Sequence, residues 1–187
     1  MRLYALCDQE MLDNKGISLD DFLKIANAKN AEILQYRNKN ADIAFMKQQL
    51  IYIRKHYDGF LIVNDAYELI EFCDGVHLGQ EDLRSIDEDI YKAVKIIRNV
   101  IKEDKILGIS THNEEEIIQA NEMDLNYIGL GAYRDTHTKK DVSVVLGNSI
   151  EDLASKSKHL VAAIGGVRLD DSFEHITYHV IASGLVT

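Results

Sequence analysis

The chain has 187 residues, of which 46% are hydrophobic and 28% are charged. This length can bury one sizeable core and leaves little for a second, so we expect a single domain over residues 1–187. The net charge of -10 disfavours nucleic acid and anionic membranes as partners. No segment is long and apolar enough to span a bilayer, and Cys7 and Cys73 lack the spacing of a disulfide framework or a paired metal site. These features favour a cytoplasmic protein.

In chain order, short apolar or β-branched runs predict eight strands, at residues 3–7, 33–37, 60–64, 75–78, 106–110, 127–130, 160–164 and 175–182. Amphipathic stretches lie between them, most clearly at 41–55 and 86–102. Strands that alternate with crossover helices pair in parallel, and eight such units predict an α/β fold, a compact (β/α)8 TIM barrel. The chain stops soon after the eighth strand, so we expect the final helix to be missing and one flank to be open. A homodimer would cover that flank.

Three polar residues occupy alternate positions at the end of the second predicted strand: Gln35, Arg37 and Lys39. Side chains alternate along a strand, so all three are expected on one face, roughly 7 Å apart. Functional groups of a TIM barrel gather at the carboxyl ends of its strands, and cations placed there indicate a phosphate site. Arg37 and Lys39 could equally be ordinary strand-end charges.

Two further strand ends supply oxygen and nitrogen groups. Asn64 and Asp65 follow the third strand, while His77 lies in the fourth and Asp82 lies just after it. Carboxylates from neighbouring strand ends form the hard oxygen site that suits Mg²⁺ between phosphate oxygens, so Asp65 and Asp82 are predicted metal ligands. Taken alone, Asn64 and Asp65 are also typical turn formers or helix caps.

The sixth strand runs into a loop that is rich in donors: Thr136, Thr138, Lys139 and Lys140. No carboxylate stands among them, and the pattern indicates an anion-binding loop, although solvated surface is an equally simple interpretation. Ser110 adds a hydroxyl after the fifth strand, and the glycines of segment 163–167 offer backbone amides suited to a phosphate.

These motifs, taken together, resemble the thiamine phosphate synthase (thiamine-phosphate pyrophosphorylase) family, which is related to thiazole tautomerases. The resemblance covers nearly the whole chain and rests on segments 35–39, 63–65, 75–82, 108–112, 127–131, 136–141 and 163–167. It implies a transferase of thiamine biosynthesis that joins 4-amino-2-methyl-5-hydroxymethylpyrimidine pyrophosphate to a thiazole phosphate or its carboxy form. Pyrophosphate would leave first, and the thiazole nitrogen would capture the resulting pyrimidine carbocation. Stabilising a departing polyanion explains the lack of an obvious nucleophile.

The resemblance also implies roles for individual residues. The pyrophosphate would be held by Arg37, Lys39, Asn64, Ser110 and Lys139, with Arg37, Ser110 and Lys139 carrying the catalysis. Gln35 and His77 would lie near the pyrimidine, and Asp65 and Asp82 would bind Mg²⁺. The thiazole phosphate would be held by Thr136, Thr138, the amide of Gly166, Ala182 and Ser183.

The chain departs from the family pattern in two places. Residues 132–135 include Arg134 and Asp135, where relatives usually carry a proline and apolar residues, so charge lies on a loop that the family closes over substrate. Segment 182–185 is an imperfect version of the phosphate loop after the eighth strand.

Three alternatives remain. A thiazole tautomerase of the same fold usually carries a histidine where this chain has Ala132. A non-catalytic binder of phosphorylated thiazole or pyrimidine would keep the same architecture. A zinc site built from His175 and His179 is disfavoured, because residues four apart on a strand lie roughly 13 Å apart.

Overall fold

A computed structural model describes residues 2–135 and 145–186. Eight parallel strands form a closed barrel in sequence order, in which β1 pairs with both β2 and β8. The strands are β1 Arg2–Asp8, β2 Ile33–Arg37, β3 Phe60–Asn64, β4 Gly75–Leu78, β5 Ile106–Thr111, β6 Tyr127–Leu130, β7 Leu160–Ala163 and β8 Tyr178–Ile181.

Seven helices are described around the barrel: α1 Gln9–Lys15, α2 Leu19–Ala28, α3 Ile43–Arg54, α4 Gln80–Ile86, α5 Ile90–Ile101, α6 Glu114–Ala120 and α7 Ser149–Ala154. Short 3₁₀ segments follow β3 at Tyr67–Phe72 and β8 at Ser183–Leu185. Several helices begin at a side chain that accepts from their first turn, as Ser18 does for α2 and Asp42 does for α3. None of the helices described is long and apolar enough to cross a membrane.

Strand periodicity separates two cores. Tyr4 and Leu6 of β1 point into the barrel with Tyr127 and Tyr178, whereas the alternate residues of β1 pack outward with the helices. The next inward position of β1 is Asp8, at the carboxyl end. The same alternation brings the polar strand ends together at one mouth of the barrel.

The predicted TIM barrel is confirmed, and most strand bounds agree within a residue or two. The eighth strand is shorter than predicted, because residues 175–177 belong to the connection before Tyr178. The stretch predicted as helical over 86–102 is α5, which begins later, at Ile90 after the N-cap Asp89; Ile86 instead ends α4.

The predicted open flank is wrong. The outward side chains of β8, His179 and Ile181, are buried, and so is Leu185 in the turn that follows. Phe173 packs edge-on against His179, with ring centroids 5.0 Å apart. The connection before β8 and the turn after it therefore cover the face that we expected a partner subunit to cover.

Candidate active site at the carboxyl ends of the strands

Arg37 is held at the mouth by a buried carboxylate from the neighbouring strand. The Arg37 guanidinium donates to Asp8 Oδ2, and both side chains are largely buried. Asp8 Oδ1 accepts from the backbone amide of Met11 at 2.9 Å and caps α1. Both oxygens of Asp8 are thus engaged, and Arg37 is fixed before any ligand binds.

Two carboxylates lie close together beside this pair. Burial, followed by the neighbouring Asp82 carboxylate, raises the pKa of Asp65 to about 7, while the charges of Lys39 and Arg37 act in the opposite direction. Asn64 donates to Asp65 Oδ2, and Asp82 Oδ2 accepts from the Gly79 amide at 2.9 Å. The Asp65 and Asp82 carboxylates repel each other when both are ionised, and a bound cation would reduce that repulsion.

This donor set fits Mg²⁺ in one particular way. Within the described parts of the chain, no group of three or more His, Cys, Asp or Glu side chains could hold a metal by itself. Mg²⁺ is commonly bound by one or two carboxylates, with waters and substrate phosphates completing its shell. Asp65 and Asp82 therefore suit a magnesium ion that arrives with, or is completed by, a phosphorylated ligand.

Five polar side chains from five different strands form a continuous hydrogen-bond chain across the barrel. Gln35 Nε2 donates to the Tyr4 hydroxyl at 2.6 Å, and the Tyr4 and Tyr127 hydroxyls are 2.8 Å apart. The Tyr127 hydroxyl lies 2.9 Å from His77 Nδ1, and His77 Nε2 lies 3.0 Å from Ser110 Oγ. Burial raises the pKa of Tyr4 and of Tyr127 far above the ordinary tyrosine value, so both phenols keep their protons.

Glycines in β5 and β6 make room for these rings. A Cβ at Gly108 would lie 2.1 Å from the Tyr127 ring, and a Cβ at Gly129 would lie 3.1 Å from the His77 ring. The strand glycines therefore serve the packing of large polar rings inside a narrow barrel.

Gln80 occupies the first turn of α4, next to Ser110. Its Nε2 donates to the Ser110 carbonyl at 2.7 Å, whereas its buried Oε1 has no partner among the described residues. The donated bond fixes the orientation of the amide and leaves this buried oxygen as an unused acceptor.

The charged segment after β6 is tied to the connection between β7 and β8. Arg134 donates from both terminal nitrogens to Asp171, at 2.6 and 2.7 Å. Arg134 also donates to the Gly166 carbonyl at 2.8 Å. Gly166 has a φ of 66°, and a Cβ there would lie 2.7 Å from the Arg134 Cβ. The unusual charge at Arg134 is thus paired and anchors the segment up to Asp135.

Some of the remaining predicted site residues lie at the carboxyl ends of the strands, and others lie outside the described part of the chain. Ala182 and Ser183 follow β8 directly and are half-buried. Thr136, Thr138 and Lys139 lie outside the described residues. His175 and His179 have different surroundings: His175 faces Glu151, with Nδ1 3.3 Å from Oε2, while His179 packs on Phe173.

Sequence reasoning missed Asp8, Tyr4, Tyr127 and the Arg134–Asp171 pair. Asp8 follows the rule that identified the other strand ends, because it is an inward position at the carboxyl end of a predicted strand. The tyrosines carried no signal of their own, since an aromatic residue in a strand usually fills the core.

The fold and mouth define a class of protein: a (β/α)8 barrel whose cation, paired carboxylates and hydroxyls converge where such barrels bind phosphorylated ligands. A family model described as thiamine monophosphate synthase matches residues 3–184. The chain belongs to this family.

Similar proteins agree with the family assignment. The chain is 33% identical over 172 residues to a thiamine-phosphate synthase of Persephonella marina, covering 89% of this chain and 77% of that protein. It is 34% identical over 191 residues to one of Lawsonia intracellularis, covering 99% and 83%. A solved thiamine phosphate pyrophosphorylase of Pyrococcus furiosus superposes with a TM-score of 0.77 at 23% identity, covering 97% of this chain and 85% of that chain. That structure is similar to this chain in fold.

Proposed function

We propose that the protein is a thiamine-phosphate synthase, a transferase that joins the pyrimidine pyrophosphate to the thiazole phosphate and releases pyrophosphate. The observation that carries the proposal is the grouping at one mouth of a fixed Arg37, the Asp65–Asp82 pair and the Ser110 hydroxyl. This set suits a leaving polyanion, and preorganised donors of this kind are usually the largest contribution to such catalysis.

In the proposed reaction the bond between the pyrimidine methylene and the pyrophosphate oxygen breaks first, and its electron pair leaves with the pyrophosphate. Arg37, Lys39, Asn64, Ser110 and Lys139 hold that anion. Gln35 and His77 orient the pyrimidine ring, and the thiazole nitrogen donates its electron pair to the methylene carbon. The buried Asp8 supports this role of Arg37, because a guanidinium already oriented loses little conformational freedom on binding.

The thiazole phosphate belongs on the opposite side of the mouth, with Thr136, Thr138, the amide of Gly166, Ala182 and Ser183. The left-handed backbone at Gly165 and Gly166 supports this assignment, because glycine lets the backbone come close to a phosphate.

Mg²⁺ is the proposed cofactor, with Asp65 and Asp82 as its protein ligands. When bound, it would neutralise charge on the pyrophosphate oxygens. The support is the raised pKa of Asp65 beside a second carboxylate.

The proposal includes a cytoplasmic location and small phosphorylated substrates as partners, with neither nucleic acid nor a membrane. The chain itself buries the β8 flank, so this flank gives no support to a homodimer. This chain has Ala132 where a thiazole tautomerase usually carries a histidine, which disfavours the tautomerase alternative.

The test is a turnover assay with purified protein, the pyrimidine pyrophosphate, the thiazole phosphate and Mg²⁺. We expect stoichiometric thiamine phosphate and pyrophosphate. Isomerisation of a carboxythiazole phosphate without pyrophosphate release would instead identify a tautomerase, and tight binding without either product would identify a binder.

Lys139→Ala is expected to lower kcat by roughly 10² to 10³ without unfolding the protein, the usual effect of losing one preorganised donor to a developing anion. Lys140→Ala is the matched control and should stay near the wild-type rate. Equal rates for the two variants would remove Lys139 from the mechanism.

A further inference from the structure

The hydrogen-bond chain inside the barrel joins two residues that the proposed function gives to opposite ends of one substrate. Gln35 lies at one end, beside the proposed pyrimidine, and Ser110 lies at the other, beside the proposed pyrophosphate. Tyr4, Tyr127 and His77 connect them through bonds of 2.6 to 3.0 Å.

The order of donors along this chain follows from the number of hydrogens that each group carries. Gln35 Nε2 can only donate, so the Tyr4 oxygen accepts and its single hydrogen goes to Tyr127. When the His77 ring carries a single hydrogen, Tyr127 donates to Nδ1, and that hydrogen lies on Nε2, 3.0 Å from Ser110 Oγ. Ser110 then has its own hydrogen to give to a ligand.

With the same singly protonated His77 ring, the hydrogen bonds can also run in the opposite direction, provided that every donor along the chain reverses. If Ser110 donates to His77, then His77 donates to Tyr127, Tyr127 to Tyr4, and Tyr4 needs an acceptor at Gln35. The Gln35 amide must then turn to present its carbonyl oxygen to Tyr4. Tyr4 is 1% exposed and Tyr127 is 2% exposed, so water cannot replace one link, and the chain changes direction as a unit.

We propose, on the basis of the proposed function, that this chain couples the two ends of the pyrimidine substrate, with Tyr4 as the positioning residue that transmits the coupling. A pyrophosphate oxygen only accepts hydrogen bonds, so an anion at Ser110 selects the order in which Ser110 donates to it. That order turns the Gln35 carbonyl oxygen away from Tyr4 and towards the ligand. The amino group of the pyrimidine is the donor that this oxygen suits.

The test measures binding and needs no turnover. Isothermal titration gives the Kd of the pyrimidine alcohol, 4-amino-5-hydroxymethyl-2-methylpyrimidine, with and without inorganic pyrophosphate and Mg²⁺. In the wild-type protein we expect pyrophosphate to tighten binding of the alcohol about 5- to 20-fold, within the usual range of coupling between sites, and the alcohol to tighten pyrophosphate equally.

Tyr4→Phe removes the bridging hydroxyl and should reduce that ratio to about 1- to 2-fold, while each ligand still binds alone. Tyr178→Phe is the matched control. Tyr178 packs edge-on against Tyr4 in the same interior, with ring centroids 6.3 Å apart. Its hydroxyl donates to Glu32, which is not a member of the hydrogen-bond chain. This control should keep the wild-type ratio. Tyr127→Phe breaks the next link and should match Tyr4→Phe, which keeps the test decisive if one variant folds poorly.

An unchanged ratio in folded Tyr4→Phe or Tyr127→Phe, or an equal loss in Tyr178→Phe, would overturn the coupling. Independent binding of the two ligands in the wild type, or binding of neither, would overturn it as well. The proposed function fails separately: a wild-type protein that makes no thiamine phosphate, but whose two ligands reinforce each other through Tyr4, would retain the coupling and lose the synthase activity.

Discussion

Asp8 is a buried carboxylate that lies below the proposed anion site and balances the charge of Arg37. Its cost of burial is offset by the guanidinium and by the Met11 amide. An anion bound to Arg37 would share this positive charge with Asp8. Asp8 therefore stabilises the ligand-free protein more than the anion-bound protein. Without Asp8, stability should depend more strongly on a bound anion.

Asp8→Asn keeps an acceptor for the cap of α1 but leaves Arg37 without a charged partner. We expect a loss of about 1 to 3 kcal/mol in the free energy of unfolding, measured with guanidinium chloride. Inorganic pyrophosphate should restore more stability to this variant than it adds to the wild type. Asp13→Asn, on the exposed face of the same helix, should change stability by less than about 0.5 kcal/mol. Identical effects of pyrophosphate on variant and wild type would contradict this account.

Asp65 makes stability depend on pH. Its pKa in the folded protein, about 7, lies above the ordinary value of an aspartate. The folded state therefore holds a proton that the unfolded state releases, and this contribution to stability is complete below about pH 4 and lost as pH rises through 7.

Asp65→Asn should accordingly raise the melting temperature of the metal-free protein at pH 8, with the gain shrinking as pH falls towards 4. Mg²⁺ with pyrophosphate should stabilise the wild type at pH 8 and the variant much less. Asp104→Asn, at an exposed position, is the control and should show neither effect. A variant less stable than wild type at pH 8 would show that the carboxylate pair is not under repulsion.

At the scale of elements, the segment after β6 and the connection before β8 are held together by Arg134 and Asp171. Backbone bonds at 2.8 Å from Tyr133 to Ile164 and from Arg134 to Gly165 extend the pairing of β6 with β7. The Arg134 side chain lowers the pKa of Asp171, so the pair persists into mildly acidic solution. The residues that lead into the proposed thiazole-phosphate loop are anchored up to Asp135.

Arg134→Ala should raise the KM for the thiazole phosphate several-fold and leave that for the pyrimidine pyrophosphate nearly unchanged. A double-mutant cycle with Asp171→Asn should give a coupling of about 1 kcal/mol, at the upper end for partly exposed pairs because the contact is bidentate. The exposed pair Lys24–Asp21 offers the comparison and should give about 0.3 kcal/mol. A KM increase for the pyrimidine substrate alone would show that the anchor serves a different site.

At the scale of the whole molecule, barrel closure leaves none of the eight described strands at an edge, since β1 is paired on both sides. Cys7 lies on β1, and Cys73 lies just before β4; both thiols are buried. Burial raises the pKa of Cys73 to about 11 and raises that of Cys7 as well. The thiolate forms needed for reaction are thus suppressed in the folded state.

Both cysteines should therefore react with a thiol reagent roughly a thousandfold or more slowly in the native protein than in guanidinium chloride, as expected for reaction through global unfolding. Cys7→Ala and Cys73→Ala let each thiol be followed alone, and the two protection factors should agree. Much faster labelling of Cys7 would show that the β8–β1 closure opens locally.

The sequence by itself determined the barrel and most of its strand ends, because strand period, helix period and their alternation are local properties that repeat eight times. It also placed Gln35 and Arg37 on one face, and its motifs identified the family that the comparisons confirm. The roles of Thr136, Thr138 and Lys139 remain predictions from those motifs. Only the tertiary structure decided which groups meet: Asp8 with Arg37, Tyr4 with Tyr127, and Arg134 with Asp171. Each pair joins residues far apart in the chain, and strand register and barrel closure set their contacts, which no local pattern encodes.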